Sequence, residues 1–324
     1  MFLWSDKSAD VLIFLTPEIF AMRLFLLASI LAVASYVCAH GADERPATTE
    51  ELITRNRGIE ARNLAARKCA SAIAEFEAQR MAKRDRLMKR QTPTTTAPAP
   101  HYTSIQNSTC VLHPETIEGP YYIRNEYIRT DLRERQTGVS LVLDVGVINS
   151  RTCQPFRNAF VELWASNATG LYGGYPTGQP THIKTDTFLR GGYFTNDAGI
   201  VEITTIYPGY YQGRTAHIHA MVHSNWKSGA NGTLLSGQGN VNHIGQFFFD
   251  ETWNDRVYAT SPYNLNRQPR TLNTQDWILW GAGSGAYINL QYLSGSSLTG
   301  GLLGYITVVV DGNANYRIQN ANSL

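Results

Sequence analysis

The run Tyr211-Gln-Gly-Arg-Thr-Ala-His-Ile-His219 holds the side chains best suited to chemistry in this chain. Read as a strand, it puts His217 and His219 on one face, because side chains at i and i+2 point the same way, about 6.7 Å apart along the backbone. Two imidazoles at that spacing can converge on a single metal ion. Tyr211, just upstream, adds a phenolate oxygen. Two nitrogens with a hard anionic oxygen suit a high-valent iron better than zinc, which favours cysteine and histidine. A lone His-x-His on a strand is more often structural, so the surrounding residues must decide.

The elements that position this run are strands. Leu141, Leu143, Val145 and Val147 alternate with Ser140, Val142, Asp144 and Gly146, the period-two pattern of a strand. Apolar runs follow at 159–164, 201–206, 216–222 and 306–310, the last closed by an Asp311-Gly312 turn. Strands separated by Gly, Asn and Pro turns, with no helical pattern between them, predict an all-β fold, a β-sandwich over residues 105–324.

The chain has 324 residues, 43% apolar and 17% charged, which fits one large domain with tails. A net charge of +2 gives no strong attraction to nucleic acid or to a membrane surface. Arg23, the apolar run from Leu24 to Val37 and the small-residue site Val37-Cys38-Ala39 read as a signal peptide region over residues 1–39, with Met22 an alternative start. The run is shorter than the roughly 18 residues of a spanning helix, so the expectation is a secreted protein with no stable membrane insertion. Residues 40–90 have a helical pattern, with Thr48 and Glu51 placed for a capping box. Their scattered apolar residues predict loose packing or packing on a partner. Lys89-Arg90 reads equally as a dibasic processing site, which would make the segment a propeptide, or as a solvated helix end. Residues 91–104 begin as a Thr/Pro linker that cannot build a core. Secretion permits disulfides; Cys110 and Cys153, both in the later region, are the expected pair, with Cys69 left over. Sequons at Asn107, Asn167 and Asn231 agree with a secreted glycoprotein.

Four segments, in order, resemble the intradiol ring-cleavage dioxygenases. They are Glu118-Gly-Pro-Tyr-Tyr122, Leu163-Trp-Ala-Ser-Asn-Ala-Thr-Gly-Leu-Tyr172, Pro208-Gly-Tyr-Tyr211 with Arg214-Thr-Ala-His-Ile-His219, and Gly245-Gln246 with Phe-Phe-Phe-Asp250. The resemblance implies an Fe(III) cofactor held by Tyr172, Tyr211, His217 and His219. Tyr175 competes with Tyr172 and Tyr210 with Tyr211; the positions after Thr-Gly-x and after Pro208 favour Tyr172 and Tyr211. Arg214 and Gln246 are implied as catalytic residues facing the substrate, and Tyr211 as the ligand that leaves the metal to accept a substrate proton. The implied substrates are a catechol-type diol and O2, and the product a muconate-type diacid. The short spacing from Tyr211 to His217 resembles a secreted fungal branch of the family, and the helical dimer-forming domain of the bacterial enzymes has no clear counterpart.

Two rival readings stand beside this one: a secreted β-sandwich module that binds phenolics or glycans without turnover, and a zinc hydrolase, which lacks an obvious carboxylate base near the histidine pair. His223, two pleats beyond His219, reads as a rim or surface histidine. His243 reads equally as a pocket or a loop residue, Trp164 as core, and Tyr121 and Tyr122 as pocket wall or packing.

Overall fold

A computed structural model of the chain describes residues 64, 67–82, 118–176 and 185–324. The expected signal region, the Thr/Pro linker, Lys89-Arg90, Cys110 and Asn107 lie outside the described residues.

Among the described residues, nine strands form two sheets. The first contains β1 (Ser140–Asn149), β2 (Gln154–Pro155), β5 (Ile200–Ile206), β8 (Asn289–Tyr292) and β9 (Leu302–Val310). Within it β1 runs parallel to β9 and antiparallel to β5. The second sheet is antiparallel throughout, in the order β4 (Arg190–Phe194), β3 (Phe160–Trp164), β6 (His217–Ser224), β7 (Asn240–Phe248). The alternation read along β1 is realised: Leu141, Leu143, Val145 and Val147 enter one buried cluster with Val161 and Leu163 of β3, Ile218, Ala220 and Val222 of β6, and Ile306, Val308 and Val310 of β9. That cluster is the core between two facing sheets, the arrangement of a β-sandwich.

Helices do interrupt the strands, unlike the expectation. Helix Glu251–Tyr258 and the short helix Trp277–Ala282 lie between β7 and β8. Asp250 caps the first by accepting from Thr252 N at 2.9 Å, and Asp276 caps the second by accepting from Ile278 N at 3.0 Å. These are ordinary N-caps. The helices are too short for a 3.6-residue period to stand out in the sequence.

The helix over residues 67–82 corrects two expectations. Cys69, Ile73, Phe76 and Arg80, spaced 4, 3 and 4 residues, form a buried stripe that docks on the outer face of the first sheet, where Cys69, Ile73 and Phe76 meet Ile148 and Val309. The helix packs on this chain's own sheet, neither loosely nor on a partner. Gly146 makes the approach possible: a Cβ there would lie 2.4 Å from Arg80 Nη1. Arg80 donates to Thr307 Oγ1 at 2.8 Å and to the Asp144 carbonyl at 2.7 Å, and pairs with the Asp144 carboxylate. Cys153 is bonded to Cys69, and so cannot pair with Cys110. The expected pairing failed because it treated the helix as detached, whereas docking brings Cys69 to the turn after β1, with Cα atoms 5.1 Å apart.

The bridge closes a loop with a sequence separation of 84, so the Cys69→Ser/Cys153→Ser double variant should lose about 2–5 kcal/mol in urea unfolding. Phe76→Ala should cost about 3–5 kcal/mol. Amide exchange over residues 67–82 should remain protected in the double variant, because the Phe76 and Arg80 contacts survive. Unprotected exchange there would mean that the disulfide alone holds the helix.

Candidate functional site

Strand β6 is buried at every residue, so both of its faces are spoken for. Ile218, Ala220 and Val222 enter the sandwich core, which leaves His217, His219, Met221 and His223 on the opposite face of the sheet. Register supplies the neighbours on that face. Trp164 of β3 and Gln246 of β7 flank His219, and Arg190 of β4 lies beyond Trp164.

The structure brings four expected side chains together. His217 Nε2 lies 3.2 Å from the Tyr172 hydroxyl, 3.3 Å from the Tyr211 hydroxyl and 3.2 Å from His219 Nε2. All four residues are buried. Metal ligands at about 2.0–2.1 Å from one ion have neighbouring donor atoms roughly 3 Å apart, so this cluster has the dimensions of a coordination set. His217 Nδ1 is 2.7 Å from the Thr215 carbonyl, which fixes its proton there and turns the Nε2 lone pair toward the cluster. His219 is oriented by packing instead. Its ring stacks on Trp164 at 4.8 Å and 10°, and its Nδ1 has no hydrogen-bond partner among the described residues. Gly119, at φ +80°, lies close to the same ring: a Cβ there would sit 3.0 Å from His219 Cε1. Burial, with the neighbouring His217, holds the His219 pKa well below the usual imidazole range, so its lone pair is available.

The competing tyrosines separate cleanly. Tyr175 donates to the Tyr122 carbonyl at 3.1 Å and accepts from Asn322 Nδ2 at 2.9 Å, while the turn closed by its N–H on the Tyr172 carbonyl sends Tyr172 inward. Tyr210 packs edge-on against Tyr258 in the main core. Burial raises the pKa of both inward phenols. For Tyr172 the neighbouring Tyr211 adds to the rise, whereas for Tyr211 the Arg214 guanidinium opposes it.

Arg214 occupies the turn that Tyr211 and Arg214 close by mutual backbone hydrogen bonds, ahead of β6. Its guanidinium is buried, donates from Nε to Asp276 Oδ2 at 2.9 Å, and from Nη2 to Gln246 Oε1. Asp276 Oδ2 also accepts from Thr215 N at 3.0 Å. One carboxylate therefore orients Arg214, the backbone that receives His217 Nδ1–H, and the helix Trp277–Ala282. Asp276 went unread in the sequence, although an Asp ahead of Trp-Ile-Leu-Trp is a recognisable N-cap.

The segment 118–122 roofs the cluster. Tyr121 stacks on Tyr172 at 4.6 Å and 17° and meets Tyr211 edge-on at 5.9 Å. The chain's last residues strap this segment down: Glu118 accepts from the amides of Gln319 and Asn320 at 2.9 and 3.0 Å, and Arg124 Nε donates to the Asn320 carbonyl at 2.6 Å.

His223 is neither a rim nor a surface residue. It is fully buried, and its Nε2 lies 2.8 Å from Glu162 Oε2. Tyr122 donates to the same carboxylate, at 3.1 and 3.2 Å from its two oxygens. The error came from taking distance from the histidine pair as exposure. The signal that was available is Glu162 itself, a single charge inside the apolar run 159–164. His243 lies within β7 and is buried, not in a loop. Trp164 is core, as expected, and also the stacking partner of His219. Arg190 and Glu126, both fully buried with Arg190 Nη1 3.5 Å from Glu126 Oε1, complete a polar layer behind Tyr172.

Comparison with known proteins supplies the family. A family model described as Dioxygenase matches residues 117–276. The solved intradiol ring-cleavage dioxygenase from Tetranychus urticae is 31% identical, with a TM-score of 0.56 over 64% of this chain and 97% of that one. Catechol 1,2-dioxygenase 1 from Acinetobacter lwoffii is 28% identical over 134 residues, 34% of this chain; the match spans 42% of that relative's length. The chain belongs to the intradiol ring-cleavage dioxygenase family.

The buried Glu126 gives a pH prediction. Burial raises its pKa from 4.5 to about 8, outweighing the attraction of Arg190 and helped by the negative Glu162. The folded state then keeps a proton that the unfolded chain releases, so this group's contribution to stability falls as pH rises from about 4.5 and levels off above about 8. In urea unfolding between these pH values, Glu126→Gln should flatten the decline. An unchanged pH slope in Glu126→Gln would show that Glu126 does not titrate in this way.

Proposed function

We propose that this protein is a secreted Fe(III)-dependent intradiol dioxygenase that opens catechol-type diols with O2. The observation that carries the proposal is the convergence of Tyr172, Tyr211 and His219 on His217 Nε2 at 3.2–3.3 Å. Two imidazoles and two phenols form a hard, electron-rich set suited to ferric iron. Among the described residues, no three His, Cys, Asp or Glu side chains gather to hold a metal, so the tyrosines are the natural completion of the set.

Burial raises both phenol pKa values. A highly charged cation is therefore what would bring them to the phenolate form, and that favours a trivalent ion over a divalent one. Held by Tyr172, Tyr211, His217 and His219, a ferric ion would supply Lewis acidity that favours the deprotonated, electron-rich form of a diol. Tyr211 is the phenol whose ionised form Arg214 favours by charge and hydrogen bond, and its phenolate oxygen is the acceptor for a substrate hydroxyl proton. Arg214, fixed by Asp276 and Gln246, presents a buried positive charge that stabilises the negative charge developing on the substrate as oxygen attacks. Tyr121 and the segment 118–122 exclude water from one side. In the balanced reaction the bond between the two hydroxyl-bearing carbons breaks and both oxygen atoms of O2 end in the two new carboxyl groups, without an external reductant. The Cys69–Cys153 bridge supports an oxidising compartment, in keeping with the signal-like N-terminus.

The purified protein should bind ferric iron and show a broad visible tyrosinate-to-iron band. Tyr172→Phe and Tyr211→Phe should each shift or abolish that band, whereas Tyr175→Phe should preserve it. Oxygen uptake with catechol should accompany diacid formation. Arg214→Ala should keep the colour but lose about 10²–10³ in kcat; unchanged turnover would remove Arg214 from the mechanism. A colourless protein with stoichiometric zinc would overturn the iron reading, and a coloured one that binds catechol without consuming oxygen would make it a binding module.

A further inference from the structure

We propose that Arg190 is a positioning residue for Tyr172, gripping the carbonyl of the next residue and holding a cation against its ring; the inference rests on the ferric reading above. Arg190 opens β4, lies opposite Trp164 in register, and is fully buried. Its Nε and Nη2 both donate to the Gly173 carbonyl, at 2.9 and 2.6 Å. Gly173 directly follows Tyr172, so this two-pronged grip sets the direction in which the phenol leaves the backbone. Gly173 has little room to adjust, since a Cβ there would meet the Phe188 and Asp186 carbonyls at 2.9 and 3.1 Å.

The same guanidinium lies 5.9 Å from the Tyr172 ring centroid and 5.5 Å from that of Tyr175. A desolvated cation at that range is attracted to the ring's π electrons. Glu126 does little to offset it, because burial raises its carboxyl pKa to about 8 and its contact is long, at 3.5 Å. Arg190 therefore has two separable effects. Its fork fixes the Tyr172 oxygen near His217 Nε2, and its charge lowers the energy of the phenolate electrons, weakening their donation to iron. Lysine keeps the second property and loses the first, because an ammonium group has no planar fork.

Full-length Arg190→Met and Arg190→Lys, loaded with Fe(III), test this by visible absorption and by competition with a chelator. In Arg190→Met the tyrosinate-to-iron band should move to longer wavelength, since the donor electrons are no longer held down, and iron affinity should fall about 10–100-fold, as for other residues that orient metal ligands. Arg190→Lys should keep the band closer to its wild-type wavelength while losing comparable affinity. In the iron-free protein, amide exchange at residues 172–175 should be faster in both variants. A folded Arg190→Met with unchanged wavelength, affinity and exchange would overturn the proposal. Should Arg190→Met fail to fold, Arg190→Lys with wild-type affinity and exchange would overturn it equally. A wild-type protein with no visible band would instead sink the ferric reading and the charge effect with it; the exchange result would then decide whether Arg190 positions Tyr172 at all.

Discussion

The site depends on one constraint, the fixed register of a strand with no exposed face. Ile218, Ala220 and Val222 are committed to the core between the sheets, so His217 and His219 are committed to the other side. A slip of one residue would bury the imidazoles among Val161, Leu163 and Phe247 and turn three aliphatic side chains toward the tyrosines. The burial that stabilises the sandwich is thus what aims the histidines. The neighbouring strands inherit the same phase, which is why Trp164 and Gln246 fall on either side of His219.

A second layer of organisation is polar and buried. Arg214 with Asp276, His223 with Glu162 and Arg190 with Glu126 are three close pairs of ionisable groups with almost no solvent exposure. Such pairs contribute little net stability, because removing charges from water costs about as much as their attraction returns. They do impose direction: two of them hold groups beside the four-residue cluster, and the third holds Tyr122, which packs on Trp164. Asp276 joins Arg214 to the backbone that receives His217 Nδ1–H, and Arg190 joins β4 to the turn carrying Tyr172. Asp276 and Arg190 thus enforce the geometry of the cluster from behind.

The chain's distant parts close the fold from opposite sides. The helix over residues 67–82 covers the outer face of the first sheet and is pinned by both a disulfide and the Arg80–Asp144 pair. Residues 318–324 run along the segment 118–124, and Glu118 receives two of their amides. The roof over the site, Tyr121 included, is therefore held in place by the last residues of the chain. Neither arrangement carries a local sequence signature, since each joins segments far apart in the sequence.

The sequence by itself determined what depends on neighbours along the chain. Period-two alternation set which side of β1 and β6 faces the core; the His-x-His spacing put two imidazoles on one face; and the ordered segments around Tyr172, Tyr211, Arg214 and Gln246 carried the family. Tertiary structure alone decided which groups meet across strands. It gave Cys69 to Cys153, buried His223 against Glu162, divided Tyr172 from Tyr175 by a turn, and set Asp276 and Arg190 behind the cluster. The physical reason is that alternation and spacing are properties of a single backbone segment, whereas a buried charge or a thiol finds its partner only after the sheets and the helix have packed.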